Sequence, residues 1–276
     1  MFQGTRDAPS WDVFWILNSF YQGLKVMSLW SYFLKETEFK ALARFVSPQF
    51  FSVISVRETL GVISRMVRSS RDLQLLSQAQ KEVAHWVSPV RVQLGVGGEP
   101  SGLQVTLRLA EQILEVYFCQ ILGAQTWLLD FRKERWGLLP SGQLTWAPAA
   151  YVHQPSPAFL QAVRALYRGF YQDDGPEFDR ALKELGIFEA KSVILSHFGL
   201  GDQSSVVFSL KAFQFTFADV FDCCRKAGSR IHPEFALLGA MLVSLYECLE
   251  GVQEGIHVRR CFTQAQLKIK DSGAPG

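Results

Sequence analysis

The side chains of this chain that are best suited to take part in chemistry lie between positions 126 and 157. An apolar strand predicted at 126–131 carries Asp130 near its end, where a carboxylate could contact a ligand. The run RKER at 132–135 follows directly and could at most bind a phosphate or an acidic partner. The more ordinary interpretation makes Asp130 an ion-paired or capping surface residue and 132–135 a solvated turn. From the residues alone, both interpretations of Asp130 stay open.

The glycines and histidines do not form binding motifs. The segment GVGGEPSG at 95–102 lacks the Lys-Ser or Lys-Thr of a phosphate-binding loop, so its glycines are predicted to serve turns. No two histidines have the HxxxH spacing of a zinc site, and we therefore expect no metal. The histidines are His85, His153, His197, His232 and His257.

The cysteines indicate a reducing environment. Their number is odd, no CxxC pair occurs, and two of them are adjacent, which does not allow an ordinary bridge between that pair. We expect free, mostly buried thiols in a reducing intracellular compartment. The five positions are Cys119, Cys223, Cys224, Cys248 and Cys261.

The composition indicates a folded protein rather than a disordered or nucleic-acid-binding one. A length of 276 residues allows one large domain or two small ones, and a content of 48% hydrophobic and 20% charged residues indicates a sizeable core. The net charge is only +2 and no Lys/Arg stripe occurs, so nucleic acid is not an expected partner.

The N-terminal part is predicted to be helical at 11–45 and is rich in aromatic residues at 11–34. Amphipathic aromatic side chains are favoured at a membrane interface, which is one interpretation of this segment. The other is a helix that docks on the main body or on a protein partner. No signal peptide is evident, and no uncharged apolar run of 18 residues is long enough to span a membrane.

Apolar spacing along the rest of the chain predicts an α+β protein that is mostly helical. The last long helix is apolar over most of its surface and is predicted to be central. In the helical stretch predicted at 49–86, Leu73, Leu76, Val83 and Val87 are spaced like one apolar face. The predicted elements are helix 49–86, hairpin 90–109, helix 110–123, strand 126–131, hairpin 136–147 turning at 140–142, helices near 159–170, 176–185, 214–226 and 233–252, and a flexible tail at 263–276.

The segment at 113–152, ILEVYFCQILGAQTWLLDFRKERWGLLPSGQLTWAPAAYV, has the order helix, strand, loop and hairpin. With the helical region that follows, it resembles the UbiB/AarF family of atypical kinase-like proteins over about residues 105–260. The resemblance implies a protein-kinase-like C-lobe with a reduced N-terminal lobe. We accordingly expect a helical N-terminal region at 1–88, the kinase-like C-lobe at 89–262 and the tail at 263–276.

The family's catalytic residues are mostly absent at the matching positions. Asp130 matches the catalytic-loop aspartate, which would orient or deprotonate a hydroxyl group. Leu128 and Arg132 stand where the family has histidines. Arg135 stands at the magnesium-binding asparagine, and Pro148 stands at the aspartate of Asp-Phe-Gly. Phosphoryl transfer depends on metal ions that neutralise the phosphates, so we expect neither metal nor cofactor here.

These losses predict a degenerate pseudokinase in which Asp130 is a vestigial catalytic residue. The expected role is a scaffold or accessory subunit of a membrane-associated complex, with a link to quinone or lipid metabolism. A protein partner is expected, and residues 11–34 could contact a membrane or membrane complex. The bacterial or mitochondrial inner membrane is the expected surface. Two alternatives stay open: a residual UbiB-type ATPase or kinase, and a protein that binds a hydrophobic quinone or lipid.

Overall fold

The computed structural model describes residues 48–94, 104–198 and 205–271. Within these ranges the protein is of the α+β class and mostly helical, as predicted. The helices are α1 (Pro48–Val53), α2 (Val56–Ser69), α3 (Leu73–Trp86), α4 (Leu107–Gly123), α5 (Pro157–Tyr171), α6 (Gly175–Glu184), α7 (Lys191–Phe198), α8 (Leu210–Ala227), α9 (Phe235–Leu249) and α10 (Val258–Asp271). The strands are β1 (Arg91–Val92), β2 (Trp127–Leu128), β3 (Trp136–Leu138), β4 (Leu144–Trp146) and β5 (Val152–His153).

The strands form two small sheets. In the first, β4 lies between β1, to which it is parallel, and β3, to which it is antiparallel. In the second, β2 pairs with β5 in antiparallel register. The predicted hairpin at 136–147 is confirmed as β3 and β4. Its turn contains Gly142 at φ +80°, a left-handed conformation that favours glycine, and the amide of Gly142 donates to the carbonyl of Leu139 at 2.8 Å.

The prediction of a hairpin at 90–109 is wrong for the described residues. β1 pairs with the distant β4, and residues 107–109 belong to α4. Thr106 begins this helix because its side chain accepts a hydrogen bond from the amide of Leu109. The alternating leucines that suggested a strand also fit the first turn of a helix. The intervening segment at 95–103 lies outside the described residues, as does the predicted helix at 11–45.

The helical body follows the start and stop signals of the sequence. Ser156 and Pro157 begin α5, and Asp174 begins α6 by accepting from the amide of Glu177 at 3.0 Å. Gly186, just after the end of α6, has φ +73°, and a Cβ atom there would overlap the carbonyl oxygen of Arg230. A side chain at position 186 is therefore excluded by both conformation and space.

The core is organised around α9, which is buried over most of its surface as predicted. The N-terminal helices pack on the same core. Phe50 lies 5.2 Å from Phe221 between ring centroids, and Ile54 forms a parallel bridge with Ile231. The predicted apolar face of α3 is correct at Val83 and Val87, which are buried. It is wrong at Leu73, which is 81% exposed in the first turn.

The prediction of a flexible tail at 263–276 is wrong for residues 263–271, because α10 continues to Asp271. Phe262 and Ala265 on this helix are buried, and the ring of Phe262 lies edge-on to Phe118 at 5.4 Å. An ion pair between Lys268 and Glu115, 2.9 Å from Nζ to Oε2, joins α10 to α4. The buried residues of α10 form a continuous apolar face: Val258, Cys261, Phe262 and Ala265.

Candidate functional site

The segment at 128–131 comprises the last residue of β2 and the buried loop after it, and its backbone is held by side chains of two helices. Gln120 on α4 accepts from the amide of Leu128 at 2.9 Å and donates to its carbonyl at 3.1 Å. Ser244 on α9 accepts from the amide of Phe131 at 3.1 Å, and its hydroxyl also lies 3.1 Å from the carbonyl of Leu129. Buried backbone groups must find partners, so these two helices fix the path of the loop.

Two tryptophans of the hairpin complete this arrangement. The indole of Trp146 donates to the carbonyl of Asp130 at 2.9 Å, and that of Trp136 donates to the carbonyl of Phe131 at 3.0 Å. The two indoles stack with centroids 5.2 Å apart and planes 2° from parallel. The hairpin thus closes over the loop and leaves Asp130 only 5% exposed.

The carboxylate of Asp130 is bound by two guanidinium groups and by the backbone amides of Arg132 and Ala149. Arg132 donates from Nε to Oδ1 at 2.8 Å and from Nη2 to Oδ2 at 2.9 Å, which is a bidentate pair. Arg135 donates from Nε to Oδ2 at 2.8 Å, and the amide of Ala149 donates to Oδ2 at 3.1 Å. The fold therefore brings Asp130, Arg132, Arg135 and the segment 148–150 together. Asp130 is ion-paired, as one interpretation held, but it is buried rather than at the surface.

The electrostatics of the site favour a permanently charged Asp130. Burial raises the pKa of its carboxyl, but the hydrogen bonds and charge of Arg132, the amide of Ala149 and the charge of Arg135 outweigh burial and hold that pKa below its usual value. A carboxylate with a low pKa and occupied oxygens is a weak general base.

The same contacts bear on metal binding. A divalent cation at Asp130 would have to displace guanidinium groups that already neutralise the carboxylate. In the parts of the chain that the structure describes, no three His, Cys, Asp or Glu side chains cluster as metal ligands. The ion pairs and hydrogen bonds of Asp130 instead link three segments: the loop, the short helical turn at 133–135 and the segment after the hairpin.

A buried hydrogen-bonded pair of side chains lies elsewhere in the fold, and no local sequence signal predicts it. His153 on β5 and Glu234 just before α9 are each 4% exposed, and Nε2 lies 3.0 Å from Oε2. Glu234 also accepts from the amide of Ser156 at 3.0 Å, and its own amide donates to Nδ1 of His232 at 3.3 Å. The partners lie 81 residues apart in sequence, and the spacing of the histidines indicates only that no zinc site is expected.

The pKa of Glu234 is also shifted. Burial raises the pKa of the Glu234 carboxyl, but the hydrogen bonds of His153 and Ser156 outweigh burial and lower it overall. Burial lowers the pKa of the nearby His232 imidazole. Glu234 therefore stays ionised and holds β5 and the start of α5 against the start of α9.

The cysteines are free, and four of the five are buried, as predicted. Burial raises the pKa of the Cys224 thiol to about 11 and those of Cys119, Cys248 and Cys261 to about 12, so these thiols are unreactive at neutral pH.

Comparisons of this chain with family models, with curated proteins and with solved structures each find no match. Across the described ranges, none of the helices combines the length and the apolar character needed to cross a membrane.

Replacement of Asp130 by Asn should lower the free energy of unfolding by about 3–5 kcal/mol, because two largely buried guanidinium groups lose their counter-ion. Urea denaturation measures this. The matched control is Asp222→Asn, since Asp222 also contacts two cations, Arg225 and Lys226, but at the exposed surface of α8. The control should leave stability nearly unchanged. Equal effects of the two substitutions would contradict a structural role for the buried cluster.

The lowered pKa of Glu234 predicts a specific loss of stability in acid. Its contribution is complete above the unfolded-state pKa of about 4.3 and is lost as the pH falls through the lower folded-state pKa. Urea midpoints measured between pH 6 and pH 3 should therefore fall more steeply for the wild type than for Glu234→Gln, which should already be less stable at pH 6. Parallel curves for the two proteins would refute this assignment.

Proposed function

We propose that this protein is a catalytically degenerate, kinase-like protein of the UbiB/AarF type that acts as a scaffold or accessory subunit. The observation that carries the proposal is the state of Asp130, whose two oxygens are occupied by Arg132, Arg135 and the amide of Ala149. The residue that matches a catalytic aspartate is thereby committed to internal contacts.

The order of elements around Asp130 supports a kinase-like C-lobe. Helix α4 leads into β2, a loop follows, and the β3–β4 hairpin then leads to segment 148–150 and β5. The antiparallel pairing of β2 with β5 folds this stretch back on itself, so that the amide of Ala149 reaches Asp130. This is the proximity that the resemblance requires between a catalytic loop and an Asp-Phe-Gly segment. The helical body after β5 agrees with the same proposal.

The substituted residues argue against the alternative of a residual ATPase or kinase. Arg135 brings a positive charge to the carboxylate where the family has a metal-binding asparagine, and Pro148 supplies no carboxylate. Such chemistry relies on positioning and on metal ions that bridge the phosphates. To act as a base or a ligand, Asp130 would first have to leave two guanidinium groups in a mostly buried environment, which is costly.

The proposed contact with a partner rests on the aromatic segment at 11–34. We propose that it contacts a protein partner or the surface of the bacterial or mitochondrial inner membrane, in a reducing intracellular compartment. The buried free thiols are compatible with that compartment. The near-neutral net charge argues against nucleic acid as a partner. A link to quinone or lipid metabolism follows from the resemblance alone.

Titration with Mg·ATP tests the loss of catalysis. We expect no saturable heat and no thermal shift for the wild type, because the cation site is filled by arginine. The variant Arg135→Asn, which restores the amide of the family pattern, should also fail to bind because position 148 still lacks a carboxylate. Binding or hydrolysis by the wild type that Asp130→Asn abolishes would favour the residual kinase instead.

Deletion of residues 1–47 tests the scaffold role. The full chain should co-purify with a stoichiometric partner or float with anionic vesicles, and residues 48–276 should do neither. Thermal unfolding of both proteins is the control, and we expect similar midpoints if the described core is independent of the deleted segment. A full chain that stays monomeric and ignores vesicles and neighbouring proteins would contradict the proposal.

A further inference from the structure

Residues 48–94 carry an excess of positive charge. They contain six Lys or Arg residues and three Asp or Glu residues, whereas the whole chain has a net charge of only +2. Among the residues that the structure describes, none of these six cations forms an ion pair. The cations are Arg57, Arg65, Arg68, Arg71, Lys81 and Arg91.

Two of the three acidic residues of this stretch serve backbone contacts instead. Asp72 accepts hydrogen bonds from two amides in the first turn of α3. Glu82 accepts from the amide of Gln125 at 2.6 Å, which joins α3 to the loop after α4. On the surface of the later helices, by contrast, cations pair with carboxylates, as Arg259 does with Asp173 at 2.9 Å. The basic excess of residues 48–94 is therefore not balanced from within the described fold.

Helix α2 collects three of the arginines on its solvent side. Arg57, Arg65 and Arg68 are exposed, while the opposite side of the helix, which includes Val62 and Met66, is buried. Apolar residues separate the arginines in the sequence, so they form no basic run there, and only the helix brings them to one side. From Arg57 to Arg68 this side is roughly 16 Å long, at about 1.5 Å per residue.

Small residues between the arginines leave the guanidinium groups close to the helix backbone. A Cβ atom on Gly61 would lie 3.8 Å from Nη1 of Arg65, and Nε of Arg68 donates to the carbonyl of Ser64 at 3.3 Å. Like charges on neighbouring turns disfavour a helix unless an anion lies between them. The solvent side of α2 is therefore suited to anionic groups from outside the chain.

The turn between α2 and α3 adds a fourth arginine and an apolar side chain. Arg71 is exposed in this turn, and its amide donates to the carbonyl of Arg68 at 3.1 Å. Leu73, the first residue of α3, is 81% exposed, more than any other large hydrophobic residue that the structure describes. We call Arg57, Arg65, Arg68, Arg71 and Leu73 the α2–α3 corner.

We propose that the α2–α3 corner docks on an anionic lipid surface, with its arginines among the phosphate groups and Leu73 at the boundary of the acyl chains. An exposed helix face is convex and extended, which suits a surface of many phosphates better than one small anion. Leu73 favours a lipid over an acidic protein, because a lone leucine can enter hydrocarbon wherever it lands, whereas a protein would need a matching pocket.

The inference rests on the proposed membrane contact of residues 11–34 and adds a second attachment to it. An arginine near an anionic surface strengthens binding about 5-fold, and stable attachment takes two signals. The corner alone is therefore too weak to hold residues 48–276 on vesicles at physiological salt. It orients the folded core on the surface that the aromatic segment reaches.

Partition of the full chain onto vesicles, measured by sedimentation, tests the corner. Vesicles of phosphatidylcholine alone are compared with vesicles that also contain phosphatidylglycerol, and the ratio of the two partition coefficients isolates the electrostatic part. The triple variant Arg65→Gln/Arg68→Gln/Arg71→Gln should lower this ratio about 100-fold relative to the wild type. The wild-type ratio should also decline as salt rises from about 50 to 300 mM, because salt screens exposed charges.

A matched control removes the same charge from exposed positions on three other helices. The variant Arg108→Gln/Lys183→Gln/Lys270→Gln should change the ratio by no more than about 3-fold, since its charges lie away from the corner. Leu73→Gln should lower both partition coefficients about 10-fold and leave their ratio unchanged. All substituted side chains are exposed, so thermal midpoints should match that of the wild type.

The possible outcomes separate this inference from the contact of residues 11–34. Equal ratios for the triple variant and its control, or equal binding of the wild type to both kinds of vesicle, would overturn the docking of the corner alone. A wild type that binds neither kind would overturn the membrane contact of both segments. Binding to polyglutamate but not to vesicles, lost only in the triple variant, would replace the lipid with an acidic protein.

Discussion

The rest of the structure depends on hydrogen-bond partners for the backbone groups of the buried segment at 128–131. A loop in a protein interior exposes backbone groups to an apolar environment, and each group without a partner is costly. Here the partners are side chains of other elements: Gln120 from α4, Ser244 from α9 and two indoles from the hairpin. The loop therefore fixes the central helix, the preceding helix and the hairpin relative to one another, and the remaining helices pack around that frame.

The charge of Asp130 imposes a second requirement on the same loop. A buried carboxylate needs a counter-charge, and in a metal-dependent site a cation supplies it. Here Arg132 and Arg135 supply it from within the chain. Under the proposed kinase-like descent, this explains how the geometry of a catalytic segment can persist after its metal ligands are replaced: the arginines neutralise the aspartate, and the loop keeps its packing without the chemistry.

The elements that could be predicted from the sequence are those with local signals. Pro157 and Gly186 mark helix ends, and Gly142 marks a tight turn, because each residue type fits its backbone conformation. The failures depend on distant partners. β1 pairs with a strand 54 residues away, α10 packs its buried apolar face on distant helices, and the Glu234–His153 pair spans 81 residues. Asp130 could be singled out from its position after a strand, but its arginine partners required the fold.

Helix α4 links the buried loop to the helical interior. Gln120 holds the loop backbone, and Tyr117, one turn earlier, contacts Phe131 at 5.8 Å between centroids and shares the hydroxyl bond with Tyr167. A shift of α4 along its axis would break both sets of hydrogen bonds together, within a close-packed aromatic environment that does not deform gradually. Such a frame holds a fixed shape. A fixed shape is better suited to a binding surface or cavity than to an active site that must open and close during turnover.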